Sequence, residues 1–433
     1  MKIKTILALF SCILIFSCSM ENDVIIIQDV TPIPEQPAPP PPEPEPKKLT
    51  LLVYMAADND LEGYAIADLK EMEKAVNEDI NVLILFDRSE GHDETNDNWT
   101  DTRLFELKHD TTNSNFIQSQ RISCPQLSLT EDTQTELDMG SYATLSNFIA
   151  FARQNYETEN YALVVWGHGT GWRYSDVHSR AVAIDDKTDT YMSVKDIGRA
   201  VLGKNLDVIG FDTCFGGVFE NVYELKDCCE YTVGSANYTP ATGWDYKTLL
   251  DSLSETDYSP LQISQKMAAS AAVCTTVFEN ERLESVMSAL ENFSKELAQS
   301  VTDNTKRQSV YNTLFSIKAY NYGQYPCDRY IDVYKMAERF STSSSTAIAQ
   351  KAAALMTAVN SAGSTTNSTY TETGLFFIPM TAPNTTASAH PSDYVKDSNN
   401  TTQCAFIKNS NWWVPTVNGN SGSLLDKLFY ADF

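Results

Sequence analysis

Two short stretches carry residues able to do nucleophilic chemistry. Tyr161–Gly171 (YALVVWGHGTG) is an apolar, β-branched run that stops at Trp166-Gly167-His168-Gly169, and Leu206–Gly217 (LDVIGFDTCFGG) is a second that stops at Asp212-Thr213-Cys214. A thiol is a strong nucleophile once a base has taken its proton, and imidazole is the side chain suited to that near neutral pH. A lone Cys is ordinarily a small buried hydrophobe, and a loop His ordinarily bonds backbone. One of each at the tips of two apolar strands, beside glycines, points instead to a Cys/His pair. Gly216, Gly217 and a helical stretch follow Cys214, which predicts a helix N-terminus, a stabilised thiolate and a lowered thiol pKa. The N–H groups of Cys214 and Gly169 are candidate donors to an oxyanion.

Such a pair needs two neighbouring parallel strands, because loops beyond the carboxyl ends of adjacent strands form the cleft of an open α/β sheet. The surrounding pattern supplies them. Leu49–Ala56 reads as a buried strand. A helix with Ile66, Leu69, Met72 and Val76 on its apolar side follows, with Asp60 as N-cap. Ile80–Asp87 completes a βαβ unit, so the sheet is parallel here. Thr102–Leu107 and Phe116–Ile122 read as an edge hairpin, Tyr142–Phe151, Val194–Leu202 and Val218–Leu225 as helices, and Tyr231–Ser235 as a strand. Beyond Gly243-Trp244-Asp245-Tyr246 the pattern is mainly helical (Leu249–Leu253, Leu261–Ala271, Leu283–Leu297, Ile331–Phe340, Ile348–Val359), with strand-like Val273–Phe278 and Gly374–Pro379. The Ser/Thr/Asn-rich spans 361–373 and 381–403 read as loops. The expected fold is a three-layer α/β/α sandwich with a mainly parallel sheet, its core at 49–250 and a helical C-terminal portion, 251–433, packed on it.

The balance of 57 acidic to 32 basic residues gives a net charge of −25, which argues against nucleic acid as a partner. Lys2 and Lys4 precede the apolar run Ile6–Phe16 and Ser17-Cys18-Ser19. This has the form of a secretory signal and is short for a membrane span. Ile15-Phe16-Ser17-Cys18 resembles a bacterial lipobox, which implies a signal peptide over 1–17, a lipidated Cys18 and an exported lipoprotein at the outer membrane or cell surface. Residues 18–48 then form the anchor and a proline-rich, semi-rigid linker. Of nine cysteines, seven would remain beyond Cys12 and Cys18, so at least one thiol is free. No C-x-x-C is present, which argues against a structural zinc site.

Asp58-Asn59-Asp60-Leu61-Glu62, Trp166-Gly167-His168-Gly169, Asp185-Asp186, Asp212-Thr213-Cys214 and Gly243-Trp244-Asp245-Tyr246 occur in the order seen in the clostripain family of cysteine peptidases, which shares the caspase, legumain and gingipain fold. The interval of 214 − 168 = 46 residues from His to Cys agrees with about 50 in caspases. The resemblance implies His168 as general acid/base, Cys214 as nucleophile, and cleavage of peptides after Arg, in some members also Lys. It implies recognition by the acid two positions before the nucleophile, here Asp212. A second acid is expected near Ser235–Tyr238, where Asn237 stands, and Asp245 is the nearest substitute. Members mature by internal cleavage after a basic residue between His and Cys, for which Arg180 is the first choice and Lys187 the second. The chemistry needs no cofactor, and calcium supports some members. Asp58–Gly63 copies the first half of an EF-hand loop, but Leu69 stands where position 12 needs Glu, so an EF-hand is rejected. Two rival readings stay open: an inactive, surface-exposed binding lipoprotein, and the same fold with specificity for Asp or Asn.

Overall fold

The computed structural model describes residues 46–171, 182–321 and 329–377, together with 406, 410, 412 and 422–429. Its main sheet has nine strands. They are β1 (Lys47–Ala57), β2 (Ile80–Arg88), β3 (Thr102–Glu106), β4 (Gln120–Arg121), β5 (Thr158–Trp166), β8 (Val208–Asp212), β9 (Tyr231–Gly234), β10 (Thr276–Glu279) and β13 (Gly363–Thr365). β6 (Val182–Asp185) and β7 (Thr190–Met192) form a separate hairpin, and β11 (Ala319–Asn321), β12 (Arg329–Asp332) and β14 (Gly374–Phe376) a small third sheet. The main order is β13-β10-β9-β8-β5-β1-β2-β3-β4. β9, β8, β5, β1 and β2 run parallel, and the strands outside them are antiparallel.

The central strands are apolar on both faces because helices cover both. Leu49, Leu51, Val53 and Met55 of β1 pack with Glu62–Glu73, Tyr246–Leu253 and Pro260–Ser270. The alternate residues Leu52, Tyr54 and Ala56 pack with Tyr142–Asn155 and Val194–Val201. This is a three-layer α/β/α sandwich. A further apolar cluster joins the C-terminal helices Leu283–Ser300, Val333–Phe340 and Thr346–Ser361 to Phe219–Glu224 and β14.

The structure amends two readings of the chain. The portion past residue 250 also completes the main sheet, through β10 and β13. β13 lies inside the expected loop 361–373, where Gly363, Ser364 and Thr365 pair with Phe278, Val277 and Thr276. Asp60 is not the cap of the first helix: the N-cap is Leu61, with no side-chain bond. What fixes that helix is a buried ion pair between Glu62 and Arg88, both wholly inaccessible. Arg88 also donates to the carbonyls of Asp93 and Thr95 and lies 4.6 Å over the Trp99 ring. Glu62→Ala leaves buried Arg88 with only the more distant Asp93 carboxylate, at 3.8 Å, as counter-charge, and chemical denaturation should show a loss of about 3 kcal/mol.

Candidate active site

The site follows from strand register. Met55 of β1 pairs with Trp166 of β5, and Trp166 with Asp212 of β8, so three parallel strands end abreast. Three loops leave from there: Asp58–Asp60, Gly167–Gly169 and Thr213–Cys214. β1 lies between β2 and β5, so the chain leaves it to one side and returns on the other. That reversal is the switch point at which open α/β sheets place their clefts. His168, Asp212 and Cys214 all line one cleft there, with Leu61, Tyr238 and Thr239.

Gly169 is what lets the second and third of these loops touch. A Cβ on it would stand 2.4 Å from the Cys214 carbonyl oxygen and 2.7 Å from the Thr213 Cβ, closer than any side chain can be placed. The loop is held from the other side by Tyr330 of β12, whose hydroxyl donates to the Thr170 carbonyl at 2.7 Å.

His168 is one-third exposed, and its Nε2 lies 2.6 Å from Asp60 Oδ1. The Asp60 carboxylate is 71% exposed, so solvent screens the pair and its energetic worth is small. Its effect is orientation: with Nε2 taken, Nδ1 is the ring nitrogen left for chemistry.

Cys214 does not sit at a helix N-terminus. The following helix starts only at Phe219, and Phe215 between them has φ 57°. The Cys214 Sγ accepts from the Thr239 N–H at 3.3 Å and lies 3.5 Å from the Thr239 carbonyl. Burial pushes the thiol up to about 11, with the Thr239 N–H opposing and the Asp212 charge adding. The lowered thiol pKa expected from the sequence is therefore overturned: without helix N–H groups nearby, desolvation of the thiolate wins.

Asp212 is buried, and burial lifts its carboxyl to about 7, against bonds from the Trp244 N–H and the Tyr246 hydroxyl. Both reach Oδ2, each at 3.0 Å, while Oδ1 has no hydrogen-bond partner among the described residues. Gly243 (φ +58°) makes the close approach of this turn to the carboxylate feasible, since a Cβ there would lie 2.6 Å from Oδ2. Asp245, the expected second acid, is elsewhere. It is exposed, and its carboxylate caps the helix Tyr246–Leu253 through the Thr248 N–H and hydroxyl.

The acid that does face Asp212 is Asp68, on the buried side of the first helix, 2.7 Å from the Trp166 indole N–H. Burial and then the Asp212 charge lift it to about 9. A signal for it was present: Asp68 falls among Ala65, Leu69 and Met72 on the buried face of the helix.

Lys187 is also committed elsewhere, donating from Nζ to Glu136 at 2.6 Å and from its backbone N–H to Asp58. Arg180 and Cys18 lie outside the described residues. Among the described residues, the five cysteines (Cys124, Cys214, Cys228, Cys229, Cys274) are free thiols.

The model of the Clostripain family matches residues 53–413, most of the chain. The chain belongs to the clostripain family of cysteine peptidases. It is 22% identical to clostripain of Hathewaya histolytica over 353 residues, a match spanning 69% of this chain and 66% of that relative, just under two thirds of its length. It is similar in structure to a secreted C11 cysteine protease from Bacteroides thetaiotaomicron in complex with an irreversible peptide inhibitor. That match has a TM-score of 0.58 at 19% identity and covers 84% of this chain and 99% of that one. An inactive zymogen C11 protease from Parabacteroides distasonis matches with a TM-score of 0.54 at 20% identity, over 77% and 90% of the two chains. These neighbours share the fold.

Because only the thiolate reacts with alkylating agents, a thiol near 11 gives a definite pH response. Alkylation of Cys214 in the resting protein by iodoacetamide, read by mass spectrometry, should rise about tenfold per pH unit between roughly pH 7 and 10. A preformed thiolate would give a plateau.

Proposed function

We propose that this clostripain-family protein is an endopeptidase that cleaves after basic residues, with Cys214 as nucleophile and His168 as general acid and base. The observation that carries the specificity is Asp212: a buried carboxylate lining the same cleft as the thiol and imidazole, with one oxygen left without a partner. A guanidinium or ammonium entering beside it supplies the missing donor and the counter-charge, which favours the ionised carboxylate. An acidic side chain would meet repulsion there, which sets aside specificity for Asp. Arg offers more donors in a fixed planar fork than Lys and is the better partner.

With a resting thiol near 11, attack couples to proton transfer. His168 Nδ1 takes the Sγ proton as sulfur bonds the substrate carbonyl carbon, and the carbonyl electrons move onto oxygen, facing the N–H groups of Cys214 and Gly169. The tetrahedral adduct collapses as His168 gives its proton to the leaving amine. Water, activated by the neutral imidazole, then cleaves the thioester and restores the thiol. None of these steps needs a cofactor.

Maturation by cleavage after Arg180 fits the same specificity. Lys187 is the weaker choice, because its side chain and backbone are both engaged. The N-terminal pattern supports export and anchoring through a lipidated Cys18, and no helix among the described residues is long and apolar enough to cross a membrane.

Peptide substrates differing only in Arg, Lys or Asp before the scissile bond test the proposal. Arg should be cleaved fastest and Asp not at all, Cys214→Ala should abolish turnover, and Asp212→Asn should lower kcat/KM on Arg by about 10²-fold or more. No turnover by wild type, even after forced cleavage at Arg180, would overturn the enzyme reading. Because Asp212 must be ionised and its carboxyl lies at about 7, kcat/KM for Arg substrates should fall as pH drops below about 7, and more steeply than in Asp212→Asn. Asp60→Ala should lower kcat about 10–100-fold with KM little changed, since it loosens the imidazole and not the substrate pocket, and Asp60→Asn should restore part of the loss.

A further inference from the structure

The small sheet of β11, β12 and β14 lies outside the main sheet, yet it meets both loops that carry the Cys/His pair. On the thiol side, the Thr373 hydroxyl donates to the Gly217 carbonyl and the Phe376 N–H to the Glu220 carboxylate, each at 2.8 Å. Both acceptors follow Cys214 closely in the chain, so β14 is docked on the segment that leaves the nucleophile. On the imidazole side, the contact runs through Tyr330 of β12. This residue pairs in register with Tyr320 of β11 and Phe376 of β14 and is 1% exposed. Its ring packs on Phe215, the residue after Cys214, with centroids 5.4 Å apart, and on Phe376 at 5.7 Å. Its hydroxyl donates to the carbonyl of Thr170, two residues after His168. One buried side chain therefore touches both loops.

Both loops need such a hold. Gly167 and Gly171 bracket the His168 loop with φ of +138° and +80°, and glycine at such turns gives up much backbone freedom when the loop is fixed. Asp60 orients the imidazole ring, but its carboxylate is exposed and bonds the side chain, not the backbone. The Tyr330 hydroxyl holds the backbone itself, from a buried position where an unpaired carbonyl is costly. The fit there is close: a Cβ on Gly171 would lie 2.3 Å from the Tyr330 hydroxyl oxygen. On the other loop, Phe215 has φ 57°, a left-handed conformation that a bulky residue keeps only when its surroundings hold it. The Asn237 carbonyl holds its N–H, and Tyr330 packs on its ring.

We propose that Tyr330 is a positioning residue for the peptidase reaction, bracing the His168 loop against the Cys214 loop. By fixing how the two loops sit, it sets the path of the Sγ proton to Nδ1, and a misplacement of about 1 Å in such a path can cost about 10²-fold in rate. The C-terminal portion thereby takes part in the chemistry without supplying a reacting group. This role rests on the peptidase reading for its effect on turnover; the tether between the loops does not.

Tyr330→Phe keeps the ring against Phe215 and Phe376 and removes only the donor. In steady-state assays of the whole chain on an Arg peptide, kcat should fall about 10–100-fold with KM little changed, because Asp212 is untouched. Hydrogen exchange read by mass spectrometry over residues 161–171 should quicken in the same variant. Tyr320→Phe is the comparison, since Tyr320 pairs with Tyr330 in the same sheet while its hydroxyl serves Asp332 and Glu372. Its loss loosens the sheet without removing the donor to Thr170, and kcat should stay within about twofold of wild type. A kcat for Tyr330→Phe within about twofold of wild type, an equal fall in Tyr320→Phe, or a loss carried wholly by KM would overturn the proposal. If Tyr320→Phe does not fold, the split between kcat and KM in Tyr330→Phe decides. Absence of turnover in the wild type would count against the peptidase reading, and the tether would then stand or fall on whether exchange over 161–171 quickens.

Discussion

Three parallel strands end side by side, with Met55, Trp166 and Asp212 abreast, and the loops beyond them have no room to diverge. Because a slip of one residue would turn every side chain to the opposite face, and both faces of these strands are packed under helices, the register is strongly held. The imidazole, the thiol and the Asp212 carboxylate therefore inherit their positions from the sheet. Gly169 then sets how closely two of the loops meet, and the Tyr330 hydroxyl ties the C-terminal portion to the residue that follows.

The electrostatics of the cleft differ from those of a preformed ion pair. Burial holds the Cys214 thiol, Asp212 and Asp68 all toward their neutral forms. These three groups thus rest toward neutrality, and in the proposed reaction a basic substrate side chain would favour ionised Asp212 while His168 takes the Cys214 proton. On that proposal specificity and chemistry are linked, since the side chain that favours ionised Asp212 also brings the scissile carbonyl to Cys214.

Much of this was legible in the chain. The β-branched runs of β1, β2, β5 and β8 announce a parallel sheet, and apolar runs that stop at Gly-His-Gly and at Asp-Thr-Cys announce the cleft. What stayed hidden depends on long-range packing. Gly363–Thr365 reads as a loop by composition and becomes a strand because Thr276–Phe278 offers an edge. The helix Asn304–Phe315 buries only Tyr311 and Leu314, too few to show a periodic face. Asp60 looks like a helix cap, and its contact with a residue 108 positions away has no local signature. The rise in the Cys214 pKa depends on burial and on a helix that begins five residues later, neither of which the Gly-Gly motif reveals. Asp245 seemed a pocket acid because of its place in a motif, yet its own helix claims the carboxylate.

In the proposed reaction the Asp212 carboxylate presents a positively charged side chain to the Cys214 thiol. The most direct measurement compares covalent labelling of the whole chain, at about pH 8 so that Asp212 is ionised, by two thiol-directed peptidyl ketones identical except for arginine or citrulline next to the reactive group. Citrulline keeps the shape and removes the charge. The arginine compound should modify Cys214 at least about 10²-fold faster than the citrulline one, as read by intact mass and peptide mapping. Equal rates for the two compounds, or modification of another cysteine in preference to Cys214, would contradict it.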